Sequence, residues 1–551
     1  MLLSTQQGAA MTRSLSLAFS PRFICLTLAL LAVLGFGFAL LMAPGFWTGL
    51  GFVIAAALSA LGLRDLFHPT HAILRNYPIA AHLRFIMEEI RPEMRQYFFE
   101  DEKHGTPFSR DKRAIVYQRA KKQLDKRPFG TQYDVYETGF EWLQHSLAAR
   151  APAHDLPRIL IGGPACTRPY SASLLNISAM SFGSLSANAI RALNQGAKRG
   201  GFAHDTGEGG LSPYHREAGG DLIWEIGSGY FSARNPDGSF SPERFAEVAA
   251  LDQVKMVELK LSQGAKPGHG GVLPSAKVSA EIAATRGVPM GQDCVSPPAH
   301  KAFSTPVEMM RFIADMRRLS GGKPAGFKLC IGHPWEFLAI CKAMIETGIT
   351  PDFIVIDGAE GGTGAAPLEF MDHVGMPLRE GLSFAHNALI GIGLRDRIKL
   401  GASGKIASAF DVARALALGA DWCNAARGFM FAIGCIQSLS CHTDHCPTGV
   451  ATQDPTRQRA LRVPDKAPRV HQFHAATLEA LNELVAAAGL SHPSELRAEH
   501  FSRRISPSVV KNFAELYPPL TTGALVTGTD DPRFAEAWAM ADALSFAPRR
   551  A

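Results

Sequence analysis

GFKLCIGHPWEFLAICKAMIETGITPDFIVIDGAEGGTG, residues 326–364, decides the fold. Gly326 to Ile331 is a short apolar run halted by glycine, Trp335 to Thr347 places apolar residues at helical spacing, and Phe353 to Asp357 is a second apolar run closing on a glycine-rich loop. Strand, helix and strand in so short a span is the unit of a parallel sheet, because parallel neighbours need a crossover and a helix supplies it. The same grammar extends in both directions. Further candidate strands are Asn176 to Met180, Gly201 to His204, Val254 to Leu261, Val288 to Gln292, Ile398 to Gly401 and Asp421 to Ala425. Candidate helices lie at Ser186 to Arg199, Lys277 to Thr285, Pro306 to Leu319 and Phe410 to Leu418. Eight strand signals alternating with helices predict an α/β fold closed as a (β/α)8 TIM barrel, with its chemistry at the carboxyl ends of the strands.

The whole chain has 551 residues, a formal charge of +6, 46% hydrophobic and 19% charged residues. That composition excludes a disordered charged tail, and the mild basic excess gives no reason to expect nucleic acid. From Phe23 to Leu63 there is no Asp, Glu, Lys or Arg, and Met42-Ala43-Pro44-Gly45 interrupts the run. Phe23 to Ala43 would span roughly 31 Å as a helix, close to the thickness of a bilayer core. Two such passes predict an N-terminal transmembrane helical hairpin. Arg13, Arg22 and Arg64 place both its ends in the cytoplasm by the positive-inside tendency. A cleaved signal peptide is the alternative, but it explains only one apolar pass. Lys103 to Arg127 holds nine Lys or Arg against two Asp, which suits either anionic headgroups or a solvated helix face. The expected organisation is a tail over 1–22, two membrane helices over 23–64, a helical connector over 65–155, the barrel domain over 156–500 and a C-terminal extension over 501–551.

Nine cysteines are too sparse for a disulfide scaffold, but Cys435, Cys441 and Cys446 fall within twelve residues, and Pro447 follows the last. The spacing suggests an iron-sulfur loop. A Cys3His zinc site using His442 or His445 and unligated thiols are the rivals. Cys423 reads as a packed core thiol. Ser403-Gly404-Lys405 after the seventh strand and Ala426-Arg427-Gly428 after the eighth sit where barrels commonly bind phosphate. Glu208, Lys260, Gln263, Lys266, Arg286 and Lys328 form a polar set at strand ends, whose cations suit a dianionic substrate and a flavin that becomes anionic on reduction. Asp357 to Gly364, including Gly361 and Gly362, lets a ring approach the backbone, and its glycine spacing is not a dinucleotide fingerprint.

The segments ISAMSFGSLS (177–186), TGEGG (206–210), ELKLSQGAKPGHGG (258–271), VSPPAHKAFST (295–305), DGAEGGTGAAPL (357–368), GLRDRIKL (393–400) and the cysteine loop through GVATQDP (449–455) together resemble the flavin domain of glutamate synthases, in the family's order. The chain is identified as similar to the short, membrane-associated, FMN-binding members of that family. The resemblance implies FMN in the barrel beside a [3Fe-4S] cluster, and reductive amination of 2-oxoglutarate to glutamate through 2-iminoglutarate. It assigns Cys435, Cys441 and Cys446 to the cluster, and Met180, Ser181, Lys328, Gly361, Gly362, Ser403, Gly404, Lys405, Arg427 and Gly428 to the flavin. Glu208, Lys260, Gln263, Lys266 and Arg286 are assigned to the oxo-acid and its nitrogen.

Two departures stand out. Val272 replaces a polar residue that contacts the oxo-acid in the family, so a different oxo-acid or binding mode is an open alternative. Ser403-Gly404-Lys405 and Arg427 differ from the family's phosphate turns while keeping or adding positive charge. No amidotransferase nucleophile begins the chain and only about 100 residues follow the cluster loop, so ammonia, an amine or a separate glutaminase is the expected nitrogen source. Electrons are expected from a ferredoxin or a reductase subunit. The expected location is the inner (cytoplasmic) membrane, with the catalytic domain facing the cytoplasm and the hairpin in lipid. The alternatives are an enzyme of N-methylglutamate synthase type and a non-catalytic membrane subunit.

Overall fold

A computed structural model describes residues 16–549, and Arg13 lies outside them. The chain divides into two compact units, one ending at Gly105 and the other beginning at Thr106, so residues 65–155 are shared between them.

In the first unit, α1 (Ile24–Met42) and α2 (Phe46–Leu66) have mean hydropathies of 2.6 and 1.8 and are long and apolar enough to cross a membrane. They run antiparallel, with Gly51 against the Phe36 ring, Gly37 against Phe52 and Gly62 against Leu26. Glycine at these crossings lets the backbones approach closely. Among the described residues, outward side chains have no protein cover: Leu34, Phe38 and Leu41 are 70%, 63% and 83% exposed. At the end of α2 Asp65 is buried, accepts the Ile79 N–H at 3.0 Å and meets His82 Nε2 at 2.9 Å, which fixes the chain leaving the hairpin.

In the second unit eight parallel strands close a barrel: β1 (Leu175–Ile177), β2 (His204–Asp205), β3 (Leu222–Ile226), β4 (Val254–Lys260), β5 (Ala325–Leu329), β6 (Phe353–Asp357), β7 (Lys399–Ser403) and β8 (Trp422–Ala425). The expected strand at Val288 to Gln292 does not form. Gly287 and Gly291 there take positive φ and Pro289 has no N–H to give a ladder, so this stretch turns. The place in the barrel belongs instead to β3, whose five residues are all buried, Glu225 included.

The layer outside comprises α3 (Ala187–Gly200), α4 (Pro242–Ala249), α5 (Ala280–Arg286), α6 (Pro306–Leu319), α7 (Pro334–Thr347), α8 (Leu378–Gly391) and α9 (Ala409–Ala417). Ser186 caps α3 by accepting from the Ala189 N–H, and Thr305 with Glu308 forms a capping box on α6. α8 was not anticipated between the sixth and seventh strands. After β8 come α10 (Arg427–Ala432) and α11 (Val463–Ala487), the latter packed on α3 where Gly196 leaves room for Val470.

A small antiparallel sheet pairs Glu141–Leu143 with Phe501–Ser506. From it Glu141, 6% exposed, meets Arg379 of α8, Arg414 of α9 and Arg503 at 2.5, 2.9 and 2.6 Å. The C-terminal extension is thereby clasped to the barrel. Breaking a buried charge set costs more than the set contributes, so this clasp fixes geometry more than it adds stability.

Candidate active site

The barrel strands deliver charge to one end of the lumen. β5 carries Lys328, β2 Asp205, β3 Glu225 and β4 Glu258, all at most 2% exposed. Lys328 Nζ is ion-paired with Glu225, 3.5 Å from Glu258 and 4.0 Å from Asp205. Three carboxylates around one ammonium cannot all ionise in a buried site. Burial, with Glu225 adding to it, pushes Asp205 up to about 7, and burial raises Glu258 well above the carboxylate range. Burial opposes the charge on Lys328, yet Glu225, Glu258 and Asp205 hold its ammonium above the usual value. These three carboxylates are the one trio of potential metal ligands within 4.8 Å of one another among the described residues, and the ammonium already serves them.

Next to this cage, the loop after β2 presents Glu208. Lys260 Nζ lies 2.9 Å from Glu208 Oε1 and donates to Gln263 Oε1 at 2.9 Å. Burial would raise Glu208, but Lys260, Lys266 and Arg286 hold it down to about 2. Gly271 is close enough that a Cβ would stand 2.5 Å from Glu208 Oε1. Arg286, 6% exposed, donates from Nη2 to the Phe182 carbonyl at 3.2 Å and lies 5.3 Å over the Phe231 ring, while its Nε is buried without a partner. Lys266 is lowered by burial. His300 Nε2 donates to the Lys260 carbonyl at 2.8 Å, and burial keeps this imidazole neutral, at about 4. Sequence reasoning did not assign His300, although its segment was among those carrying the resemblance.

Met180, Ser181, Glu208, Gln263, Lys266, Arg286, Gly362, Arg427 and Cys441 all open on a single cavity, with Glu225, Val272, Lys277, Thr363 and His442. Lys260 and Lys328 reach it through Glu208 and Glu225. The other expected positions stand outside its lining. Ser403 Oγ donates to Asp357, whose second oxygen accepts the Gly264 N–H at 2.9 Å. Gly361 donates to the Gly358 carbonyl at 2.8 Å. Gly404 and Lys405 line a neighbouring cavity with Lys112, Arg379, Asp411 and Arg414. Gly428 is buried where a Cβ would press on the Ile406 carbonyl at 3.2 Å.

Gly264 joins the loops after β4 and β6 so tightly that a Cβ would overlap the Gly358 carbonyl oxygen. Gly264→Ala is therefore expected to cost about 3 kcal/mol or more, the upper part of the overpacking range. Thermal melts with paired flavin analysis check this. Wild-type melting would refute the close contact.

In the cysteine loop, Cys435 and Cys446 are buried and Cys441 is half-buried. Burial pushes the Cys435 thiol up to about 11. Burial also opposes ionisation of Cys446, but the Ala451, Thr448 and Val450 N–H groups and the Thr448 hydroxyl lower it. Gln437, Leu439 and Asp444 all take positive φ, strain of the kind that concentrates at functional loops. Two anchors hold the loop: Tyr117 donates to the Cys435 carbonyl at 2.6 Å, and Gln437 exchanges hydrogen bonds with Phe108. Tetrahedral zinc at about 2.3 Å from each sulfur needs ligands roughly 3.8 Å apart. Among the described residues no trio that includes these cysteines comes within 4.8 Å. Cys423 is fully buried in the core.

The conserved region of glutamate synthase matches residues 166–491. The glutamate synthase large subunit-like protein YerD of Bacillus subtilis is 39% identical over 82% of this chain and 94% of its own length. An archaeal-type glutamate synthase [NADPH] of Thermotoga neapolitana is 33% identical over 59% of this chain and 61% of its own. The archaeal glutamate synthase [NADPH] of Methanocaldococcus jannaschii is 35% identical over 58% of this chain and 60% of its own. The match covers the barrel, the polar cavity and the cysteine loop together, and the chain belongs to the glutamate synthase family.

Proposed function

We propose that the protein is a membrane-tethered, FMN-dependent oxidoreductase that reductively aminates 2-oxoglutarate to glutamate through 2-iminoglutarate, with a [3Fe-4S] cluster on Cys435, Cys441 and Cys446. The observation that carries this reading is the single cavity shared by Arg286, Lys266 and Glu208 on one side and Gly362, Arg427 and Cys441 on the other. Among the described residues Arg286 has no carboxylate within 4.0 Å and a buried Nε without a partner, as suits a residue awaiting an anionic substrate.

FMN fits the same place. Met180 and Ser181 offer backbone at the end of β1, Gly362 leaves the β6 loop open, and the ammonium of Lys328 lies in the lumen beneath. Bound FMN supplies hydride. Arg286 and Lys266 hold the two carboxylates of the oxo-acid, and Glu208, kept ionised by Lys260, orients the nitrogen by accepting from its N–H. Lys328 offsets the negative charge that accompanies reduction, while Asp205 and Glu258 keep the cage from becoming a net anion. Cys435, Cys441 and Cys446 would hold the cluster, which would supply one-electron transfer beside the flavin.

The hairpin of α1 and α2 tethers this unit to the cytoplasmic membrane, with the barrel on the cytoplasmic side by the positive-inside tendency. Ammonia or an amine supplies nitrogen, and a ferredoxin or reductase subunit supplies electrons. A second reading, an enzyme of N-methylglutamate synthase type, draws support from Val272, an apolar side chain on the cavity wall beside Arg286. Turnover with methylamine and none with ammonia would favour it. Cys441→Ser tests the cofactors: iron is expected to fall to background with FMN largely retained, and unchanged iron content would overturn the cluster assignment.

A further inference from the structure

Two cations converge on Cys441. Arg427, at the start of α10, points Nη1 at Cys441 Sγ, 3.8 Å away, and at Met430 Sδ, 3.4 Å away, while Nη2 donates to the Thr363 carbonyl in the loop after β6. Gly362 makes room for it, since a Cβ there would stand 2.8 Å from Arg427 Nε. Lys277, 3% exposed, donates from Nζ to the carbonyls of Cys441 at 2.8 Å and Ala451 at 3.1 Å. Among the described residues neither cation has a carboxylate within 4.0 Å, whereas Lys260 in the same barrel end has one and Lys328 has three. Lys277 is buried with Asp444 as its nearest charge partner beyond 4.0 Å, and Arg427 is half-buried, so the positive charge gathered at Cys441 is left to be balanced by what the cysteine loop holds.

We infer that Arg427, with Lys277 behind it, is a positioning residue that raises the reduction potential of the iron-sulfur cluster and ties its cysteine loop to the glycine-rich loop of the flavin site. The inference rests on the cluster reading above. Three thiolates and a reduced cluster carry more negative charge than the oxidised form. A guanidinium a few ångströms from one ligand sulfur therefore favours the reduced form, as charge and hydrogen bonding near such sulfurs do in general. The Arg427 guanidinium spans the Thr363 carbonyl and the Cys441 sulfur, joining the glycine-rich loop to the cysteine loop.

The test uses the full chain purified anaerobically in detergent as wild type, Arg427→Gln and Arg427→Lys. Iron and FMN are measured first. The cluster is then reduced stepwise by dithionite, one electron per cluster, while the paramagnetic signal of its oxidised form is followed. Arg427→Gln is expected to shift the reduction equilibrium about tenfold toward the oxidised form, a fall of about 59 mV for a one-electron couple. Arg427→Lys, which keeps the charge, is expected to move less than half as far. Arg427→Gln with its iron intact at the wild-type potential would overturn the inference, as would a lysine variant shifted as far as the glutamine one. Should glutamine lose the iron and lysine keep it, the dependence on charge stands; loss from both overturns it. Wild type with FMN and no iron would overturn the cluster reading itself, a failure that the iron assay separates from the others.

Discussion

Lys328→Met is expected to cost about 3 to 5 kcal/mol of stability at neutral pH, the range for removing one partner of a buried charge set. Methionine keeps the length of the stem, so the loss reports the ammonium. Without it Asp205, Glu225 and Glu258 face one another in the lumen with no counter-charge between them. The sign of the pH dependence follows. Asp205 already sits near 7 in the folded chain against an ordinary 3.8, so the native state holds extra protons in that window, and stability declines as pH rises through it. Removing the ammonium raises the folded values of Asp205 and Glu258 further and steepens that decline. The deficit of Lys328→Met relative to wild type is therefore expected to be smaller at pH 5 than at pH 8 in denaturant or thermal unfolding. An equal deficit at both would show that the stem's packing, and not its charge, was lost.

Arg286→Ala is expected to weaken oxo-acid binding by about 2 to 5 kcal/mol, the usual cost of truncating one side of a buried charged contact. That is roughly thirtyfold to several thousandfold in affinity. Titration of the oxidised holoprotein with 2-oxoglutarate, read from the flavin absorbance, measures it. Arg286 is tied to its surroundings by the Phe182 carbonyl and the Phe231 face rather than by a carboxylate, so its charge is free for a ligand. Unchanged affinity would remove it from the substrate site.

Much of this arrangement was legible in the residues, and the failures have physical causes. The barrel followed from the alternation of apolar runs and helices, yet β3 was missed because Glu225 interrupts an apolar run in the way a strand's end does. Glu225 is tolerated mid-strand through its pairing with Lys328, more than a hundred positions along the chain, which no local pattern reveals. Val288 to Gln292 misled for the opposite reason: a Val-Pro-Met sequence reads as apolar while its proline and flanking glycines make it turn. The cysteine loop was visible from spacing alone. The cations around it were not, because Lys277 reads as an ordinary helix-start lysine and Arg427 reads as a phosphate ligand. Which side of α10 a guanidinium takes depends on Gly362 and Thr363 from another loop.

Formation of glutamate from an oxo-acid and ammonia in this barrel is the proposed reaction. It is tested most directly by reducing the FMN-loaded protein anaerobically, adding 2-oxoglutarate with isotopically labelled ammonium, and following flavin reoxidation together with labelled glutamate. Reoxidation matched by stoichiometric labelled glutamate is the predicted result. Flavin that stays reduced with 2-oxoglutarate and ammonium, in protein whose FMN and iron are both present, would contradict it.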